Sequence, residues 1–273
     1  MSVRAVIPGR RVAVGAAIFI ALAAVPADAQ IASHRAAYTL SLDKSKSASG
    51  ISEIRGAMLI EWQEVCEGWT LAQRMRFAAY DGDGNALDSD ISFTSWEARD
   101  GANYRFATRT ARNGEEIEQI RGRARLQGRG EAGEAIFSEP ERQKMDLPAG
   151  TIFPTEHSIA LIDAARKGER VFARKVFDGA TLDGTLEINA VIAGQQPAET
   201  IKKDGVDAEL LKHPWWRVRM AFFKLTDPAP SPEYETSMKM LGNGVGTEFI
   251  FEYEDFSIRA VLDRLEPLPP PRC

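Results

Sequence analysis

Cys66 and Cys273 are the residues with the most definite chemistry in this chain, and they are its only two cysteines. Such a pair can form a disulfide, contribute to a metal site, or remain two inert buried thiols. Metal binding fits poorly, because two Cys and three scattered His lack the short paired spacings of zinc sites. The compartment decides between the other two. Arg4, Arg10 and Arg11 form a positive region ahead of the apolar run 12–25, and Ala27, Asp28 and Ala29 place small residues at a cleavage position. This is the pattern of an export signal over residues 1–29, with the mature chain starting near Gln30. The run is too short to span a bilayer comfortably, and polar residues follow at once. No cysteine follows the cleavage position to be lipidated, and no second long apolar run exists, so the mature chain is expected to be soluble. In an oxidising compartment a lone thiol pair becomes a bridge. The expectation is a Cys66–Cys273 disulfide whose loop closure is worth at most about 5 kcal/mol. It would anchor an extended proline-rich tail, residues 267–271, and cover an exposed strand edge.

Other reactive residues are sparse. There is no Gly-x-Ser-x-Gly elbow, no His-Glu-x-x-His and no phosphate-binding glycine loop. His157 follows Glu156 and has the chemistry of a general base; the plainer reading is a solvated or hydrogen-bonded histidine in a first helical turn. The run Asp81, Gly82, Asp83, Gly84, Asn85 resembles a calcium loop, but Ala86 and Ser92 stand where glycine and a bidentate glutamate are needed. A hairpin turn fits it better, and no metal or cofactor is expected. Arg121, Arg123 and Arg125 share one face of a strand, with Arg105, Arg109, Arg112 and Arg129 near in sequence. They offer forks for phosphate or carboxylate, or form a solvated face partly neutralised by Glu115, Glu116 and Glu118. Trp62, Trp69, Phe77, Trp216, Phe222, Met238 and Met240 would line the concave side of a curled sheet. There they are either core or the wall of a cavity for a lipid-like chain.

The elements that must position these residues are mostly strands. Apolar side chains alternate with polar ones around residues 69–77, 104–109, 216–222, 234–240 and 248–253, the period of a sheet with one buried face. Asp-Gly and Asn-Gly pairs such as Asp100-Gly101, Asn113-Gly114 and Asn243-Gly244 separate the runs as hairpin turns. One stretch breaks the period. Ile159, Ile162 and Ala165 recur at helical spacing, Thr155 is a candidate N-cap and Gly168 a stop, which predicts one amphipathic helix over residues 155–167. The proline-rich segment 227–232 reads as a loop, because similar strands flank it. The expectation is therefore one all-β domain over residues 30–273, an antiparallel sandwich, barrel or open curl with a single helix. The 44% hydrophobic content suffices for its core. A formal net charge of −5 argues against nucleic acid as a partner.

Several stretches together resemble the EipB-like family of periplasmic cell-envelope integrity proteins. They are residues 147–157 (LPAGTIFPTEH) leading into the helix, 176–179 (VFDG), 216–223 (WRVRMAFF), 232–235 (PEYE), 243–245 (NGV) and 253–257 (YEDFS). The resemblance covers essentially the whole mature chain. It implies a many-stranded open curl, a β-spiral, with a disulfide joining a loop to the C-terminus, here Cys66 and Cys273. It also implies a periplasmic location, a role in maintaining the Gram-negative envelope and no known enzymatic activity. Two functions then compete. One is a non-enzymatic protein that binds a lipid-like ligand or a periplasmic protein partner; the other is an envelope-polymer hydrolase or transferase using His157 and Glu156. Oligomeric state is left open.

Overall fold

The period-two runs become strands, and they build one sheet. A computed structural model describes residues 30–225 and 231–273; the expected export signal, and residues 226–230 of the proline-rich loop, lie outside the described residues. The first arm consists of β1 (His34–Ser45), β2 (Ile51–Val65), β3 (Gly68–Asp81), β4 (Ala86–Ala98), β5 (Asn103–Arg112), β6 (Glu115–Leu126), β7 (Gly133–Glu139) and β8 (Gln143–Leu147). After β9 (Thr151–Ile152) comes the helix α1 (Pro154–Arg166). The second arm continues with β10 (Val171–Val176), β11 (Leu186–Ile192), β12 (Trp215–Lys224), β13 (Tyr234–Leu241), β14 (Gly246–Glu252) and β15 (Phe256–Pro267). The tight turns form where the sequence places them. Between β5 and β6, for example, Asn113 and Gly114 take φ of 51° and 80°, as a two-residue primed turn demands.

The spatial order is β8 down to β1, then β15 down to β9, in one 15-stranded sheet. β8 and β9 are its two edges, yet only residues 148–150 join them along the chain. Three residues reach about 11 Å when extended. Laid flat, fifteen strands would hold those edges roughly 67 Å apart. The sheet must therefore curl until its edges approach, giving a nearly closed, barrel-like wall. Neighbouring strands pair antiparallel except β9 and β10.

The disulfide forms. Cys66 lies in the turn between β2 and β3, and its Cα stands 5.6 Å from that of Cys273. Contrary to the expectation from the sequence, it covers no sheet edge. β15 is already paired on both sides, with β1 and β14, so the strands near the chain ends have no open edge to cover. The bridge instead holds the tail beyond β15 against the β2–β3 turn, and the Leu268 amide donates to the Ser33 carbonyl along the way.

The helix occupies the interior. Leu161, Ile162, Ala164 and Ala165 bury against Phe172, Ala190, Trp216 and Val218 of the second arm, with Trp62 of the first arm beside them. Its start differs from the sequence reading. Pro154 is the first helical residue, where its missing N–H costs nothing, and Thr155 is not the cap. The Phe153 side chain supplies no cap bond. The free amides of Thr155 and Glu156 donate to Glu97 Oε2 and Oε1, at 2.7 and 2.9 Å, from β4. At the other end Gly168, at φ 79°, lets its amide reach the Ala165 carbonyl and that of Glu169 reach Ala164, a Schellman stop.

Candidate functional site

Between α1 and the inner face of the sheet lies a cavity of about 290 Å³. That is near the lower end of the roughly 300–1,000 Å³ typical of small-molecule sites. Both arms build its wall. From the first arm, register places His34 opposite Trp62 and Trp62 opposite Leu71, so three side chains form one row across β1, β2 and β3. From the second arm come Met220 and Phe222 of β12 and Met238 and Met240 of β13, with Phe249 opposite Met238 on β14. His157, Leu161 and Ile162 of α1 face them. Alternation explains the set, because side chains two apart along a strand share a face.

The lining is mainly apolar, with a few polar groups placed in it. The Tyr38 hydroxyl donates to the Gly246 carbonyl at 2.8 Å, and its edge meets the Phe249 ring at 5.4 Å between centroids. Burial pushes the Tyr38 phenol well above its ordinary pKa, so it stays a neutral donor. His34 Nδ1 donates to the Ala32 carbonyl at 2.7 Å, and burial lowers the pKa of its ring. Two nitrogens on residues of the cavity wall, Trp62 Nε1 and His157 Nε2, are buried without any hydrogen-bond partner in the protein. A buried polar group left in this state is costly, on the order of 1–3 kcal/mol. His157 is 5% exposed, and burial, aided by the charge of Arg174, lowers its pKa to about 4. It is a neutral imidazole at neutral pH and a weak base. This departs from the solvated or hydrogen-bonded histidine expected of a first helical turn, because the turn is enclosed by the sheet. Glu156 does not join it. Its Oε1 stands 3.6 Å from Arg129 Nη1, and burial raises its pKa while Arg129 opposes the shift.

A profile of the EipB-like family matches residues 26–269, nearly the entire described chain. The chain belongs to the EipB-like family. It is similar to the cell envelope integrity protein EipB of Brucella abortus (strain 2308). The two are 31% identical over 252 residues, which cover 91% of this chain and 88% of that protein. A crystal structure of a β-barrel-like protein of a domain of unknown function from Brucella abortus superposes with a TM-score of 0.80. That match is 30% identical and covers 88% of this chain and 100% of the other. The nearly closed sheet with one helix is thus the fold of the EipB-like family. The chain is a homologue of a cell envelope integrity protein, and its disulfide suits an oxidising location outside the cytoplasm.

In this EipB-like chain the seven aromatic and methionine positions singled out by the sequence do not form one surface. Trp62, Phe222, Met238 and Met240 line the cavity. Trp216 is 2% exposed and sits in the core beside α1. Phe77 packs with the cluster around Tyr38 and Met58. Trp69 lies under the Arg99 guanidinium, 4.9 Å from its ring centre. Sequence reasoning missed His34, Tyr38, Leu71 and Gln73 as cavity residues. The parity of β3 contained the signal for Leu71 and Gln73; His34 and Tyr38 needed the pairing of β1 with β2. The calcium-like loop is a turn, as expected. Asp81 Oδ1 accepts the amides of Asp83 and Asn85, and its other oxygen accepts Asn85 Nδ2. Among the described residues no cluster of three or more metal-ligating side chains occurs, and no helix is long and apolar enough to cross a membrane.

Proposed function

We propose that the protein supports cell-envelope integrity as an exported, non-enzymatic binding protein, and that an acyl chain occupies its inner cavity. The observation that carries this reading is the apolar cavity with buried, unpartnered Trp62 Nε1 and His157 Nε2 on the residues of its wall. Apolar walls favour a hydrocarbon chain, and a few placed nitrogens favour one polar group at its end. The methionines at 220, 238 and 240 supply flexible, polarisable contacts that adapt to chain shape. Homology to EipB supports the envelope role. The low basicity and enclosure of His157, with Glu156 turned to Arg129, favour binding over general-base catalysis.

Native mass spectrometry of protein taken from its own envelope should show a retained lipid mass. A fluorescent fatty-acid probe should bind the delipidated wild type. Met238→Trp, which fills the cavity, should lose that probe at least tenfold while its melting stays cooperative. Failure of the probe to bind the wild type would remove the acyl-chain reading. Turnover of peptidoglycan or lipid that His157→Ala abolishes would establish the hydrolase or transferase instead.

A further inference from the structure

The outer face of the sheet carries a feature that the cavity does not use. Register sets Arg105 of β5 directly opposite Arg123 of β6, with Arg121 next along the same face. Like charges facing each other across an antiparallel pair weaken it. Arg35, Arg74, Arg99, Arg219 and Arg259 each meet a carboxylate within 2.7 Å. Arg105, Arg121, Arg123 and Arg142 have no such partner among the described residues. The nearby acids close no ion pair with these four, although Glu134 lies near enough to feel the charge of Arg123. Glu134 pairs with Lys144 at 2.6 Å, and Glu116 pairs with Arg109 at 2.6 Å. Glu139 stands opposite Arg121 in the register without closing an ion pair.

The four guanidiniums line an open groove of about 790 Å³, together with Trp96 and Ile136. Arg105 lies over the Trp96 ring at 5.1 Å. The glycine between Arg121 and Arg123 is required here, since a Cβ on Gly122 would come within 2.5 Å of the Phe106 ring. We infer that this groove docks the protein onto a lipid surface bearing anionic phosphate headgroups. Guanidinium forks match phosphate oxygens, and a row of them on an open face suits many headgroups better than one enclosed ion. Trp96 and Ile136 add the amphipathic and apolar contacts that favour a membrane–water interface. The chain as a whole is acidic, at −5, so attraction confined to this face would also orient the protein. The inference is independent of what fills the inner cavity.

Co-sedimentation of the mature chain with vesicles tests it. Wild type should bind phosphatidylglycerol vesicles at low salt and pure phosphatidylcholine vesicles at least tenfold more weakly. The double variant Arg105→Gln/Arg123→Gln should lose about tenfold or more in affinity for the anionic vesicles. Its melting temperature should equal or exceed that of wild type, because the facing charges are gone. Arg121→Gln, at an exposed and unpaired position, provides a second reading should the double variant fold poorly. Equal binding to both vesicle types, no binding by wild type, or unchanged binding by both variants would overturn the inference. So would loss of vesicle binding in soluble glycerol phosphate at matched phosphate concentration, which would assign the groove to a free phosphate ester.

Discussion

Glu97 and His157 respond to burial in opposite directions. Burial raises the Glu97 carboxyl to about 7, although the Thr155 and Glu156 amides favour its ionised form; burial lowers His157 to about 4. Linkage turns both into pH dependence. With its folded pKa raised, Glu97 contributes stability that is complete below about 4.5 and lost as pH rises through 7. With its folded pKa lowered, His157 contributes stability present above 6.5 and lost as pH falls through 4. The two terms oppose one another between pH 4.5 and 6.5. Relative to wild type, Glu97→Gln should therefore gain stability as pH rises from 4.5 to 7, on the order of 3 kcal/mol across the window. His157→Leu should show the opposite trend, gaining relative to wild type as pH falls from 6.5 to 4. Urea unfolding at several pH values reads both differences. Two variants that parallel wild type across the range would mean that neither group is held away from its ordinary titration.

At the scale of elements, α1 was legible from its period but its anchoring was not. A 13-residue helix is marginal alone, so packing must hold it. Ile162 is 1% exposed within the cluster around Trp216 and Val218. Ile162→Ala should cost about 2–5 kcal/mol by the lost burial and the space left behind. Val171→Ala, at a β10 position 67% exposed, should stay within about 0.5 kcal/mol. Urea midpoints separate the cases, and similar losses in both would contradict an enclosed helix. Thr155 has the residue type of an N-cap, but the capping carboxylate comes from Glu97, 58 residues earlier. No local pattern contains that distance. The strands were easier to read, because alternation and turn glycines are local properties of the chain.

For the whole molecule, the disulfide is the covalent link between the tail and the first arm. It closes a separation of 207 residues, for which chain entropy gives about 5 kcal/mol as an upper limit. Cys66→Ser, Cys273→Ser and the double variant should lose similar stability, since each removes the same bond. Reductant should lower the wild-type melting temperature and leave that of the double variant unmoved. Because β1 and β15 remain paired over eleven residue pairs, the reduced protein should keep its far-ultraviolet spectrum while its tail becomes more accessible to carboxypeptidase. Two free thiols in unreduced, denatured protein would show that no bridge forms in the cell.

Composition, period and punctuation determined a β-rich fold with one helix, and the lone cysteine pair with an export-like leader pointed to a bridge. These are properties of neighbours along the chain and of the compartment. Tertiary structure decided what lies far apart in sequence. The pairing of β1 with β15 puts the open edges at β8 and β9 in mid-chain, so the bridge steadies a tail and covers no edge. The curl sorts one stripe of large side chains into cavity wall and core: Met238 lines the cavity, whereas Trp216 lies beside the helix in the core. Alternation assigns a side chain to a face. Only closure of the sheet decides what that face meets, because the contacts come from strands of the opposite arm.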